Sequence, residues 1–132
     1  MAATQMSVKD VLFSFRGRIP RRTYWLWSLV PVFVVGLVLG LLMPFFMTPA
    51  PASSPTAEPQ MSALGSVVML LLYVPLIWIG LAVGIKRWHD RGKSGAWILI
   101  ALIPLVGGIW TFVECGCLRG TEGPNQYGPD PT

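Results

Sequence analysis

The stretch FSFRGRIPRRTYWLW, residues 13–27, places positive charge, aromatic rings and an apolar run in that order along the chain. Arginine is costly in hydrocarbon but is attracted to anionic lipid head groups. Tyrosine and tryptophan favour the membrane interface, where an apolar ring and a polar tip are both accommodated. This order predicts a chain that passes from the cytoplasm through the interface into a bilayer. The residues concerned are Arg16, Arg18, Arg21, Arg22, Tyr24, Trp25 and Trp27.

The composition also favours a membrane protein. Hydrophobic residues make up 53% of the chain and charged residues 12%, too few charges for the polar surface of a small soluble domain. Three segments without acidic or basic residues each contain an apolar run near the ~20 residues that a helix needs to cross a bilayer. We predict an all-α membrane protein with three transmembrane helices, at about 24–47, 62–85 and 96–117.

A short amphipathic helix is expected to precede these spans, at residues 7–15. Ser7 and Asp10 have the spacing of a capping box, and apolar residues recur after them at helical intervals. Such a helix would lie flat on the membrane surface. Residues 1–22 then form a cytoplasmic amphipathic and basic segment, residues 23–118 the three-helix membrane domain, and residues 119–132 an irregular tail rich in glycine and proline.

The distribution of lysine and arginine predicts the orientation. The N-terminal flank holds five, the Pro-rich loop 48–61 none, the tight hairpin 86–95 four, and the tail only Arg119. The positive-inside rule therefore places the N-terminus and the hairpin inside, and the loop and the tail outside. A re-entrant turn at Pro104 and the Gly107-Gly108 pair is the alternative for the third stretch. Signal cleavage after the small residues 50–52 is an alternative for the first.

Few side chains suggest chemistry. His89 and Asp90 are adjacent and could take part in catalysis. The simpler interpretation is that His89 lies at the membrane interface and that Asp90 is bonded to Arg87 or Arg91. One His cannot build a metal site, and no nucleophile is obviously paired with it, so we expect no metal, no cofactor and no enzymatic activity. The roles of Glu114, Cys115 and Cys117, near the end of the third stretch, stay open, although a disulfide between two cysteines at that spacing is not expected.

Small residues four apart allow helix backbones to approach closely in lipid. Packing within one chain is the preferred interpretation, and a homo-oligomer is the alternative. The candidate helix-packing residues are Gly36, Gly40, Gly80, Gly84 and Gly107.

Three blocks of the chain, FRGRIPRRTYW, IKRWHDRGKSGAW and GTEGPNQYGPD, resemble the signature blocks of the bacterial family called domain of unknown function 805. The resemblance implies a small multi-pass protein of the bacterial cytoplasmic membrane, without an assigned activity. Ala96, where the family often has an aromatic residue, and the Pro-rich loop depart from the pattern. The matching residues are Phe15, Arg16, Gly17, Arg18, Arg21, Tyr24, Trp25, Arg87, His89, Asp90, Ser94, Trp97, Gly120, Gly123, Asn125, Tyr127, Gly128, Pro129 and Asp130.

The favoured function is a non-enzymatic membrane module whose basic cytoplasmic face binds anionic lipid head groups or an unidentified membrane partner. A subunit of an oligomeric transporter or channel is one alternative, and an interfacial enzyme acting on phosphate-bearing lipid is another. The sequence shows no nucleic-acid-binding motif, and we expect no nucleic acid as a partner. The candidate binding residues are Arg16, Arg18, Arg21, Arg22, Arg87, His89, Asp90, Arg91 and Lys93.

Overall fold

The computed structural model describes residues 6–54 and 56–132. The chain divides into two compact units, one made of the residues up to Val30 together with Trp78–Thr132, and the other of Pro31–Ile77. Two long helices, α2 (Arg21–Phe46) and α3 (Ala63–Asp90), belong in part to each unit. Most of the chain is helical, as the sequence predicts.

The first unit opens with the short helix α1, Val8–Phe13. Ser7 caps it, because its Oγ accepts a hydrogen bond from the Asp10 amide at 3.2 Å and donates one to Asp10 Oδ2 at 2.7 Å. The predicted capping is therefore confirmed. Val11 packs into a small apolar cluster with Ile19 and Val83, so one side of α1 is held by protein rather than left free.

Helices α2 and α3 are both long and apolar enough to cross a membrane. They contain the predicted spans 24–47 and 62–85 almost entirely, with α3 continuing past the apolar run to Asp90. Most of each helix is free of charged residues, so each can continue through a bilayer. The prolines within them do not end the helices, because prolines are tolerated inside transmembrane helices. In the described part of the chain, α2 and α3 are the two helices that are long and apolar enough to span a membrane.

In the second unit, the ends of the Pro-rich loop are joined. Strand β1, Met47–Thr48, pairs antiparallel with β2, Gln60–Met61, and the Thr48 hydroxyl donates to the Gln60 carbonyl at 2.9 Å. A Cβ at Gly65 would lie 2.6 Å from Phe46 Cβ, so this glycine allows a close approach beside the strand pair. The two ends of the Pro-rich loop are therefore fixed to each other.

The third apolar stretch is not the continuous helix expected at 96–117, and that prediction is wrong. A 3₁₀ helix at Gly95–Leu102 is followed by α4 at Val106–Thr111 and a π-helical turn at Phe112–Cys117. Pro104 cannot donate to a helix, and Leu105 has φ 63°, which breaks the helical path. Helix α4 packs back on the 3₁₀ helix, and a Cβ at Gly107 would lie 1.8 Å from the Ile100 carbonyl oxygen.

The tail after Cys117 has no helix or strand of its own and contains an isolated bridge between Asn125 and Gly128. Its irregular backbone agrees with the predicted Gly- and Pro-rich segment. Gly123 and Gly128 adopt positive φ angles of 73° and 139°, which few other residues tolerate.

Candidate functional site

A buried charge cluster lies at the C-terminal end of α3. Arg18 Nη2 is 3.0 Å from Asp90 Oδ1, and Arg87 Nη1 bonds the other carboxylate oxygen, Oδ2. The side chains of Arg18 and Arg87 are 1% and 0% exposed, and that of Asp90 is 3% exposed. A buried charge is tolerated only when it is paired and hydrogen-bonded, so each member of this cluster requires the others.

Local structure places these three side chains. Arg87 and Asp90 lie one helical turn apart in α3, which brings their side chains onto one face. Arg18 follows Gly17, whose φ of 92° allows the sharp turn between α1 and α2. Ile19 is 1% exposed and fixes the chain immediately after Arg18.

Arg18 also holds the tail. Its Nη1 donates to the carbonyl oxygens of Gly123 at 2.7 Å and Gly128 at 3.2 Å, and its Nη2 donates to the Thr121 carbonyl at 2.6 Å. The Thr121 amide donates to the Asp90 carbonyl at 2.7 Å. The tail is therefore bonded to an N-terminal arginine, because its backbone carbonyls accept the hydrogen bonds of the Arg18 donors that Asp90 does not use.

Gly120 is required where the tail meets Asp90. A Cβ built on Gly120 would lie 1.9 Å from Asp90 Oδ2, well inside van der Waals contact. This close contact explains why the third sequence block begins with a glycine. It also places the third block directly against Asp90 of the second block.

Side chains from α2 and α3 cap the end of the π-helical turn. Arg87 Nε donates to the Cys115 carbonyl at 2.7 Å, Trp25 Nε1 to Gly116 at 3.1 Å and Arg21 Nη1 to Cys117 at 2.6 Å. The last carbonyls of a helix have no partner within the helix, and cations near them are favourable. These arginines therefore complete a helix end, a role that charge counting does not reveal.

Lys86 does the same for α1. It is fully buried, and its Nζ donates to the carbonyl oxygen of Asp10 at 2.9 Å and to that of Ser14. Sequence reasoning did not select Lys86 as a site residue. A signal existed, since it is the first charge after the apolar run of α3 and lies one residue before Arg87.

His89 is held by two other segments of the first unit. Its ring stacks on Tyr127 with centroids 3.9 Å apart and planes 6° from parallel, and Nδ1 lies 3.2 Å from the Gly17 carbonyl. Asn125 donates to the His89 backbone carbonyl at 2.9 Å. The one histidine of the chain is thus bonded into the packing between the first and third sequence blocks.

Glu114 belongs to a second, less buried ion pair. Its carboxylate accepts from Arg91 Nε at 2.9 Å and from Lys93 Nζ at 3.0 Å. Lys93 Nζ also lies 4.8 Å from the centre of the Trp97 ring. Of the two partners expected for Asp90, the structure confirms Arg87, while Arg91 binds Glu114 instead.

Asp130 stabilises the turn at the end of the tail. Its carboxylate accepts from the Thr132 hydroxyl, from the Thr132 amide at 3.0 Å and from the Gly123 amide at 2.9 Å. The bonds from Thr132, followed by that from Gly123, lower the pKa of Asp130 to about 2. Asp130 is therefore anionic at physiological pH.

The nine predicted binding residues divide by exposure. The cluster and its neighbours are buried, Arg91 and Lys93 are half-buried, and three arginines of the first block are exposed. The buried residues are Arg18, Arg87, His89 and Asp90, and the exposed ones are Arg16, Arg21 and Arg22.

The predicted packing glycines divide as well. A Cβ at Gly36, Gly40 or Gly80 would meet no atom within 4 Å among the described residues, whereas one at Gly84 would lie 2.8 Å from Ile98 Cδ1. Gly107 has its close approach to Ile100. Cys115 is buried and Cys117 exposed, and neither forms a disulfide. In the described ranges, no group of three His, Cys, Asp or Glu side chains could hold a metal ion.

Comparisons with known proteins place the chain. The family model described as "Protein of unknown function (DUF805)" matches residues 12–129. "Uncharacterized protein YiiR" of Escherichia coli K12 is 32% identical over 95% of this chain and 90% of its own length. "Inner membrane protein YhaI" of the same organism is 31% identical over 96% and 92%. For "Inner membrane protein YhaH" the identity is 34%, over 89% and 86%. The comparison with solved structures gave no significant match.

The resemblance seen in the three sequence blocks is thus confirmed; two of these relatives are named inner-membrane proteins, and this chain has two long apolar helices. The three blocks that carry the resemblance are the same three segments that meet at Arg18, Asp90 and Gly120. The chain is a member of the DUF805 family.

Proposed function

We propose that the chain is a non-enzymatic module of the bacterial cytoplasmic membrane that binds anionic lipid head groups through Arg16, Arg21 and Arg22. One observation carries the proposal. The residues capable of acid–base chemistry, His89 and Asp90, are buried and bonded to other groups of the protein, whereas Arg21 and Arg22 are exposed at the start of α2 and Arg16 is exposed shortly before it. The accessible charge of the first block is therefore positive, and anionic head groups complement it.

The proposed topology has two crossing helices, α2 and α3, in place of three. The far end of the third stretch is tied to the end of α3 and to the hairpin that follows it, because Arg87 donates to the Cys115 carbonyl and Lys93 donates to Glu114. A helix that crossed a ~30 Å hydrocarbon core could not return its far end to this hairpin. The stretch 95–117 is thus proposed to enter the bilayer from the cytoplasmic side and to leave on that side.

Both chain ends are then cytoplasmic. The positive-inside rule still places the N-terminal flank and the basic hairpin inside, since together they hold nine of the ten lysines and arginines. The tail joins them because Arg18 bonds its carbonyls. This proposal keeps the orientation expected for the N-terminus and reverses the one expected for the C-terminus.

The lipid-binding proposal is tested by replacing single arginines. Arg22→Gln is expected to weaken retention of phosphatidylglycerol on the purified protein by about 1 kcal/mol, roughly fivefold, the value of one basic residue near a membrane surface. Retained lipid is measured by mass spectrometry after gel filtration in detergent, at low and high salt. Added salt should reduce the difference, because exposed charges are screened.

Arg119→Gln is the matched control. Arg119 is also exposed, but it forms a surface ion pair with Glu122 at 3.2 Å. Its replacement removes the same charge and should leave phosphatidylglycerol retention nearly unchanged. Equal losses for the two variants, or no loss for Arg22→Gln, would remove the first-block arginines from the account.

A further inference from the structure

A second feature of the first unit concerns a different kind of lipid contact. A cavity of about 520 Å³ lies between α1, the start of α2 and the end of the tail. Its volume is within the ~300–1,000 Å³ typical of small-ligand pockets. Met6, Val8 and Val11 line one wall, Trp27 lines another, and Asp130 lies at the tail side between two prolines.

Contacts within the protein hold the walls of the cavity in place without a ligand. Val11 is 4% exposed and belongs to the apolar cluster with Ile19 and Val83, against which Met6 and Trp27 also pack. The tail wall is fixed by the bonds of Asp130 to Gly123 and Thr132. The cavity is therefore a preformed concave surface that is largely apolar with a polar end.

The charge at that polar end selects the ligand. Arg18 also lines the cavity, but its donors are already directed to Asp90 and to three tail carbonyls. Asp130 keeps a carboxylate there, and its low pKa leaves it ionised. An anionic group would find no free N–H of Arg18 to bind and would lie against the Asp130 carboxylate, whereas an ammonium group can donate to Asp130 Oδ2, which accepts one bond within the protein.

We propose that this cavity holds a phospholipid with an ammonium head group, with an acyl chain against Val8, Val11 and Trp27 and the ammonium at Asp130. Its position supports a lipid rather than a soluble ligand. Trp27 belongs to the aromatic segment of α2 that follows the arginines, and such segments lie at the level of lipid head groups. The site differs in charge from the three exposed arginines, and it does not depend on them.

The test uses the full-length protein in nanodiscs with two photoactivatable lipids. Phosphatidylethanolamine and phosphatidylglycerol with the same diazirine-bearing acyl chain are compared, and crosslinked peptides are mapped by mass spectrometry. The ethanolamine lipid should label residues 6–11 and 23–27 about threefold more than the glycerol lipid, the factor expected of one partly exposed ion pair. Equal labelling by the two lipids in the unaltered protein would overturn the proposal, as would labelling that avoids these segments.

Asp130→Asn and Glu122→Gln form the matched pair of variants. Both remove one negative charge from the tail, but Glu122 lies in the exposed pair with Arg119 and does not line the cavity. Asp130→Asn should reduce the preference for the ethanolamine lipid to about one, and Glu122→Gln should keep it. A preference that survives Asp130→Asn contradicts the proposal. If Asn at this position unfolds the tail, the comparison of the two lipids on the unaltered protein still decides.

Discussion

The two compact units of the chain are stabilised in different ways. The first unit holds itself together with polar contacts between distant segments, of which the bond from Arg18 to Asp90 spans 72 positions. The second unit consists of apolar helix segments joined by a two-stranded turn, and α2 has no buried residue among those described. The difference indicates that the first unit is specified by contacts within its own chain, whereas the second leaves most of its apolar side chains exposed among the described residues.

The contrast also shows that some basic residues of this chain have a structural role. Arg18, Lys86 and Arg87 occupy the positions where positive charge ordinarily marks the cytoplasmic end of a span. All three are buried and donate to acids or to backbone carbonyls. Positive charge at these positions therefore has a structural use in addition to any effect on orientation.

The largest effect is expected from removing the acid of the first unit. Asp90→Ala leaves Arg18 and Arg87 buried without their carboxylate, which costs about 3–5 kcal/mol. We expect a large fall in the midpoint of thermal unfolding in detergent. Glu122→Ala is the control, because its exposed pair with Arg119 is worth at most about 1 kcal/mol. Similar midpoints for the two variants would contradict a buried cluster.

A smaller effect should distinguish two adjacent glycines of α4. Gly107→Ala places a Cβ 1.8 Å from the Ile100 carbonyl, and we expect a loss of about 1–3 kcal/mol from overpacking. Gly108→Ala meets no atom within 4 Å in the described chain and should be neutral or slightly stabilising. Thermal unfolding of both variants measures the difference. Equal stabilities would mean that the third stretch does not fold back on itself.

The smallest effect is expected in the second unit. Gly36→Ala and Gly40→Ala should raise stability by at most about 1 kcal/mol, because alanine favours the helix and no described atom opposes the added methyl groups. Unfolding and the mass of the detergent-solubilised protein are measured together. A loss of stability or of an oligomer would show that another helix packs on these glycines, as the spacing of four residues allows.

The sequence predicted the parts of this fold that depend on local pattern. Long charge-free runs predicted α2 and α3, and the Ser7–Asp10 spacing predicted the start of α1. The prediction for the third stretch failed because a lack of charge indicates that a segment can lie in lipid, and does not indicate that it forms one continuous helix. The breaking signals, Pro104 and the paired glycines, were visible, but nothing local revealed that α4 would pack on the 3₁₀ helix.

The buried cluster was less predictable for a physical reason. Arg18 and Arg87 donate mainly to backbone carbonyls, which every residue carries, so the sequence does not indicate which carbonyls will be used. The pairing of Asp90 with Arg87 could be expected, since the two are three residues apart on one helix. The third partner, Arg18, lies 72 positions from Asp90, and no local pattern in the sequence indicates that the two will meet.

The central claim is that the tail and the first block lie on the same side of the membrane. It is tested with Thr132→Cys in a background carrying Cys115→Ser and Cys117→Ser, with a membrane-impermeant thiol reagent applied to spheroplasts. Ser53→Cys in the Pro-rich loop is the control for an outside position. The account predicts that Ser53→Cys is labelled in intact spheroplasts and that Thr132→Cys is labelled only after the membrane is opened. Labelling of Thr132→Cys in intact spheroplasts would contradict it.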